Sequence, residues 1–346
     1  MITKTRLPLL FKRSILLPFA GVAMALATGG PFGGSVLNAQ PGLEAQHQRL
    51  RPVFELAGVV FTDADETTGR LVVGVLDRGV EGLIRGRLPM LGVSSQSVDV
   101  IETQPIVRVS TLRDKVRPVI AGLQIRFSNY LCSLGFNAIR GNDSGFVTAS
   151  HCSDKQGSVD GTQYYQPLDQ VSDQFIGTEI ADPAYRRNIG GCPRGRVCRS
   201  SDANFSAASD FGMFTLGAIA KTTGPNNGSL DIAGQFVITG DGAATVGQTA
   251  NKVGRTTGWT QGPVTRTCVD TGVTGSNIVL LCQVFVENDN AQIVGAGDSG
   301  SPVFRIGGGD KVTLLGNLWG GNSSNTLFVY SPIANIETEL GTLITH

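Results

Sequence analysis

The stretch Gly295-Ala296-Gly297-Asp298-Ser299-Gly300-Ser301-Pro302 sets a serine between glycines in what reads as a tight turn. Flanking glycines let a backbone approach a substrate carbonyl with no Cβ in the way. A serine hydroxyl alone is a weak nucleophile. It needs a base to take its proton, an acid to orient that base, and backbone N–H groups aimed at the developing oxyanion. With 46 glycines in 346 residues, Gly/Ser turns are common in this chain, so the stretch decides nothing until a base is found.

Histidine is scarce: His47, His151 and His346. The first falls in a polar segment and the last is the final residue. His151, in Thr148-Ala149-Ser150-His151-Cys152, is therefore the candidate base. A lone histidine is more often structural than catalytic, but the adjoining cysteine offers a way to anchor a turn that presents the imidazole.

From Gln124 onward, short runs of Val, Ile, Thr and Phe alternate with Gly, Asn, Asp and Ser clusters, and no long helical period is present. Ile125-Arg126-Phe127, Gly145-Phe146-Val147-Thr148, Val312-Thr313-Leu314-Leu315 and Leu327-Phe328-Val329-Tyr330 are examples. The pattern is all-β, of sandwich or barrel type. Near the end, Ile333, Ile336, Leu340 and Ile344 allow one short amphipathic helix.

Composition narrows the class. A 41% hydrophobic chain of this length buries a sizeable core. Lys+Arg 28 against Asp+Glu 28 gives a net charge of +0, which favours neither a phosphate backbone nor an anionic membrane. Lys4, Arg6, Lys12 and Arg13, then an apolar run from Ile15 to Ala27, have the layout of a secretory signal. The run is shorter than the roughly 20 residues of a membrane span. Cleavage after Ala27 or after Ala39 fits, and residues 1–39 are assigned to the signal peptide.

All six cysteines follow this leader, and an even count in an exported chain reads as disulfides. Spacing suggests Cys192 with Cys198 around a short loop and Cys268 with Cys282 across a hairpin, leaving Cys132 for Cys152. No CxxC pair supports zinc. Between leader and β domain, Gln40–Leu50 reads as a polar linker. Strands at 57–61 and 71–76, a helix across Val80 to Leu91 and a strand at 98–102 then form a small α+β unit. A charged segment ends at Pro118, which places the boundary there: 40–117 linker and pro-region, 118–346 β domain.

The pairing of Thr-Ala-Ser-His-Cys at 148–152 with Gly-Asp-Ser-Gly-Ser-Pro at 297–302 resembles the chymotrypsin (trypsin-like) family of serine proteases. It is most similar to the bacterial secreted branch of α-lytic protease and the streptogrisins. Cys132-Ser133-Leu134-Gly135-Phe136, Gly254-Arg255-Thr256-Thr257-Gly258 and Leu318-Trp319-Gly320-Gly321 extend the resemblance over the whole β region.

The resemblance implies a double six-stranded antiparallel β-barrel preceded by an α+β pro-region that assists folding and inhibits the enzyme. It implies a secreted (extracellular or periplasmic) monomeric serine endopeptidase, made as a zymogen. Its partners would be protein or peptide substrates and its own pro-region, with no metal, cofactor or nucleic acid, and no membrane once the signal is removed. The family order His, Asp, Ser puts the acid between 151 and 299. Asp202, in Ser201-Asp202-Ala203-Asn204, is favoured; Asp210 competes, because Asn204 stands where an apolar residue is usual.

Ser299 would then be the nucleophile, His151 the base and Asp202 the orienting acid, with the Gly297 and Ser299 N–H groups as oxyanion hole. Asp298 would anchor the turn through a buried ion pair whose partner is undetermined. Leu318-Trp319-Gly320 would pair with the substrate backbone. Leu318 departs from the serine that often supports the family's aspartate. The residues before the nucleophile carry no acid, so an uncharged, small or medium apolar side chain is the default specificity. The alternative is a secreted non-catalytic homologue, acting as a peptide-binding or adhesive module.

Overall fold

The computed structural model describes residues 41–106, 109–187 and 189–346. The expected signal peptide lies outside the described residues. The chain divides into two compact units between Val107 and Arg108.

In the first unit, the strands Val59–Asp65, Arg70–Val75 and Val98–Glu102 form one sheet. The first two are an antiparallel hairpin, and Gly69 takes the left-handed conformation its turn requires, at φ +68°. The third strand lies parallel to the second, with Leu71 opposite Val98. A parallel neighbour needs a crossover, supplied by the helix Glu81–Arg87 and the 3-10 turn Leu88–Leu91. The α-helix is shorter than the apolar spacing suggests, because Pro89 lacks an N–H and the chain tightens there.

The expected linker is instead the helix Pro41–Leu50. Leu43 and Leu50 lie two turns apart on one face and are buried in the same cluster as Leu71, Val73, Val98 and Ile84. Burial of that stripe overrides the polar composition from which a linker was read.

The second unit is built from a seven-stranded and a ten-stranded sheet. The seven-stranded sheet contains Asp143–Thr148 paired antiparallel with Asn204–Ala208. In the larger sheet, Thr249–Gly254, Gly258–Gly272, Ile278–Glu287, Leu327–Pro332, Lys311–Gly321 and Pro302–Gly308 pair in sequence, all antiparallel, and the last pairs back with the first. This circuit encloses a cluster that includes Val264, Val286, Val303, Leu315 and Phe328. A second cluster, with Phe136, Phe146, Phe205, Phe236 and Phe304, draws on both sheets.

The segment before Pro118 belongs to this unit. Leu112 is fully buried, its N–H donates to Leu230 O (2.9 Å), and its carbonyl accepts from Gln124 N–H (2.8 Å). The C-terminal helix runs Ile333–Leu340 and buries Ile333, Ile336 and Leu340. Gly341, at φ +87°, ends it, so Ile344 leaves the helical face and bridges to Ile139. The disulfides join Cys132–Cys152, Cys192–Cys198 and Cys268–Cys282. No helix among the described residues is long and apolar enough to cross a membrane.

Candidate active site

Two neighbouring strands carry two of the expected residues to one end of a sheet. Thr148, the last residue of its strand, faces Asn204, the first of the next. His151 follows the former and Asp202 precedes the latter, so topology alone brings them together. His151 lies in the 3-10 turn Ser150–Cys152, which the Cys132–Cys152 disulfide ties to the strand Tyr130–Ser133.

His151 Nδ1 is 2.9 Å from Asp202 Oδ2, and the His151 backbone N–H donates to Asp202 Oδ1 at 3.0 Å. One carboxylate therefore holds both the ring and the backbone of one residue. Asp202 is 2% exposed and the His151 side chain 32%. Burial works against a charged imidazole, but the Asp202 charge and hydrogen bond outweigh it and raise the His151 pKa above its ordinary value. Burial likewise opposes the Asp202 charge; His151 and the backbone N–H reverse that and hold the carboxyl below the usual range. An Nδ1–H donated to Asp202 leaves the Nε2 lone pair free to accept a proton.

Asp210, the competing acid, instead accepts from Gly212 N–H at 2.8 Å and caps a surface turn. Asn204, the reason for considering it, is buried and donates to Tyr164 Oη (2.9 Å) and Glu179 Oε1 (3.2 Å). Burial raises the Glu179 pKa to about 8, which favours its neutral form in this polar pocket.

The serine loop is held from beneath by its own aspartate. Lys252 Nζ lies 2.9 Å from Asp298 Oδ2, and both side chains are fully buried. The carboxylate also accepts from Thr257 Oγ1 (2.7 Å) and from the N–H groups of Gly295 (2.9 Å), Thr256 (2.9 Å) and Thr257 (3.2 Å). Burial depresses the Lys252 pKa more than the Asp298 charge restores it. Arg255, the cation of the Gly254-to-Gly258 motif, points elsewhere, to Gln124 Oε1 at 2.7 Å.

Ser133 fixes the other side of the loop. Its Oγ donates to Gly297 O (2.9 Å), and its N–H donates to Ser299 O (2.8 Å). With those carbonyls committed, the N–H groups of Gly297 and Ser299 donate to no protein acceptor among the described residues. Gly300, at φ +88°, packs so closely that a Cβ would stand 2.2 Å from both Ser133 O and Thr148 Oγ1. That contact sets the serine loop against the strand leading to His151.

Two cavities flank the strand end Leu318–Gly321. The larger, about 610 Å³, is lined by His151, Asp202, Phe285 and Trp319; the smaller, about 180 Å³, by Ser299, Val294, Ala296 and Asn325. Gly320, Gly321 and Asn322 line both, so the cavity beside His151 and the cavity beside Ser299 share that stretch of backbone. Leu318 lines only the smaller cavity; its N–H donates to Ser301 O (2.9 Å) and its carbonyl accepts from Gly300 N–H (2.7 Å). Its backbone thus secures the serine loop, and Gly320 and Gly321, paired on one side with Val329 and Phe328, are the glycines that line the cleft.

Several participants are not signalled by any motif. The Asp202 N–H donates to Ser331 Oγ (2.9 Å), Ser331 donates to Gln283 Oε1 (2.8 Å), and Trp319 Nε1 donates to the same oxygen (2.9 Å). Gln156 Nε2 stands 3.5 Å from Asp202 Oδ2. Asp202 is thus met by Ser331 at its backbone N–H and by Gln156 at its carboxylate, and not by a side chain from position 318. Only the polar character of Gln283 and Ser331 within apolar strands could have drawn notice. Among the described residues, no cluster of three or more His, Cys, Asp or Glu forms a metal site.

The sequence matches no family model and no curated protein. Among solved structures, the chain is similar to Thermobifida fusca protease A, with 22% identity over 66% of this chain and 99% of that one, at a TM-score of 0.47. It is also similar to Nocardiopsis protease (21% identity, 64% and 95% covered, TM-score 0.45). A third is the Cellulomonas bogoriensis chymotrypsin (20% identity, 66% and 99% covered, TM-score 0.46).

Proposed function

We propose that the second unit is a serine endopeptidase of two-barrel architecture, acting through Ser299, His151 and Asp202, and exported as a proenzyme. The observation that carries the reading is the buried Asp202 carboxylate 2.9 Å from His151 Nδ1, on a turn packed against the Ser299 loop. A non-catalytic homologue has no need to keep a buried carboxylate on a half-exposed imidazole, and an oriented pair favours the enzyme.

In this reading Ser299 Oγ attacks the scissile carbonyl while His151 Nε2 takes its proton. Asp202 holds the Nδ1–H tautomer and stabilises the imidazolium. The unpartnered N–H groups of Gly297 and Ser299 receive the oxyanion, a contribution of about 3 kcal/mol for each donor. His151 returns the proton to the leaving amine, the acyl-enzyme forms, and water repeats the sequence to release the acid. The substrate backbone lies along Gly320 and Gly321. No charged side chain lines the smaller cavity, which fits an uncharged, small or medium side chain before the scissile bond.

Three disulfides fit an oxidising, extracytoplasmic compartment. The first unit is read as the pro-region. In this reading maturation falls before Ser110, because cleavage at the 117/118 boundary would take Leu112, a core residue, out of the second unit.

The test is covalent. Secreted protein is treated with a fluorophosphonate and with a generic peptide substrate. Labelling that is lost in Ser299→Ala, together with peptide cleavage, supports the reading; no labelling, or labelling that persists in Ser299→Ala, overturns it. N-terminal sequencing of labelled protein locates the maturation site.

A further inference from the structure

One buried guanidinium touches the neighbours of both His151 and Asp202. The Arg199 side chain is 1% exposed and uses its whole fork. Nη1 donates to Asp182 Oδ1 (2.6 Å) and Ser150 Oγ (3.2 Å), Nη2 to Ala203 O, and Nε to Glu339 Oε2 (2.7 Å). The two carboxylates carry the grip further. Asp182 Oδ2 accepts from Ser150 Oγ (2.8 Å) and Gly157 N–H (2.7 Å). Glu339 accepts from Ser200 N–H (2.6 Å) and Ser201 Oγ (2.6 Å).

Each tether falls beside one member of the pair. Ser150 adjoins His151 and Gly157 closes the loop that follows it; Ser200, Ser201 and Ala203 bracket Asp202 on both sides. Neither His151 nor Asp202 hydrogen-bonds Arg199, so the network acts on where their backbones stand. Glu339 comes from the C-terminal helix, distant in sequence from both. A planar fork that meets two carboxylates and a carbonyl at once fixes geometry in a way an ammonium does not.

We propose that Arg199, held by Asp182 and Glu339, is a positioning residue that sets the separation of His151 and Asp202, so that the C-terminal helix is part of the catalytic support. The proposal rests on the reading of His151 and Asp202 as a catalytic pair. Glu339→Gln is the informative change. A carboxamide has one acceptor oxygen, so it cannot serve Ser200 N–H on one side and both Arg199 and Ser201 on the other. Ser201→Ala is the milder companion, removing a single bond to Glu339. Glu337→Gln makes the same charge change on the same helix without touching Arg199, since Glu337 accepts from Leu343 N–H (2.9 Å).

The full secreted chain carries each variant, with kcat, KM and the downfield proton resonance of the His151 Nδ1–H as readouts. Expected for Glu339→Gln is a fall in kcat of about tenfold or more with KM changed less than about twofold, and a shifted or broadened resonance. Ser201→Ala should change in the same direction by less, and Glu337→Gln should match wild type. An unchanged kcat and resonance in Glu339→Gln and Ser201→Ala, whatever their melting temperatures, overturns the proposal. If wild-type protein is not labelled at Ser299, the endopeptidase reading fails by itself. The resonance then decides alone whether Arg199 and Glu339 set the pair.

Discussion

Lys252→Met tests whether the serine loop depends on one buried charge pair. The methionine nearly matches the aliphatic stem in volume, so the change removes the ammonium and with it the bonds to Asp298 (2.9 Å), Thr257 Oγ1 and Gly258 O (3.2 Å). Stranding one partner of a buried pair costs about 3–5 kcal/mol. Four other donors remain on Asp298, at 2.7, 2.9, 2.9 and 3.2 Å, and they continue to solvate the carboxylate. The expected loss is therefore at the lower end, about 3 kcal/mol. With a urea m-value of about 2 kcal/mol/M, the midpoint falls by about 1.5 M. Both tryptophans, Trp259 and Trp319, lie in the second unit, so fluorescence reports on the right transition. Because Gly295, Thr256 and Thr257 converge on the same carboxylate, the loop that aims the Gly297 and Ser299 N–H groups loosens too, and phosphonate labelling should slow. Asp298→Asn in the Lys252→Met background removes the stranded charge. The double variant should be more stable than the sum of the single losses by about 1.5 kcal/mol or more. A loss below about 1 kcal/mol for Lys252→Met, or strict additivity, would refute the reasoning.

Asp202→Asn should lower kcat by about 10⁴-fold, because an amide N–H facing His151 Nδ1 forces the proton onto Nε2. The same change shifts the pH profile. In wild type the Asp202 charge raises the His151 pKa, so activity, which needs neutral imidazole, falls as pH drops through a value above 6.5. Without that charge the acid limb of kcat/KM moves to lower pH, and an unmoved limb would remove Asp202 from the role. Leu112→Ala should destabilise the second unit by about 2–5 kcal/mol, read by urea unfolding. A negligible effect would separate 109–117 from the β unit and return the maturation site to its neighbourhood.

What could be read from the sequence was local. Positive charge then apolar run, strand-sized runs between turn residues, and cysteine spacing each depend on near neighbours along the chain. They were enough for an all-β region, an α+β unit and the three disulfide pairs. The His151 and Ser299 contexts were legible because a presented turn and a glycine-lined loop each leave a contiguous signature. The helix Pro41–Leu50 was missed because its two buried leucines matter only once a sheet stands opposite them.

The third member of the site shows the division most plainly. In one dimension Asp202 is favoured by its Ser-Asp-Ala context, yet Asp210 competes because Asn204 breaks the expected apolar pattern. Only the pairing of Thr148 with Asn204 puts Asp202 beside His151 and leaves Asp210 capping a surface turn. The partner of Asp298 follows the same logic: Arg255 sits in the motif, but it is Lys252, in the strand Thr249–Gly254 that is buried from Ala250 onward, that packing brings beneath the loop. Arg199 and Glu339, far apart in the chain, meet only in the folded unit. Sequence by itself singled out the segments proposed to carry nucleophile and base. Tertiary structure alone decided which charges are buried beside them, because burial and strand facing are properties of packed neighbours and not of residue order.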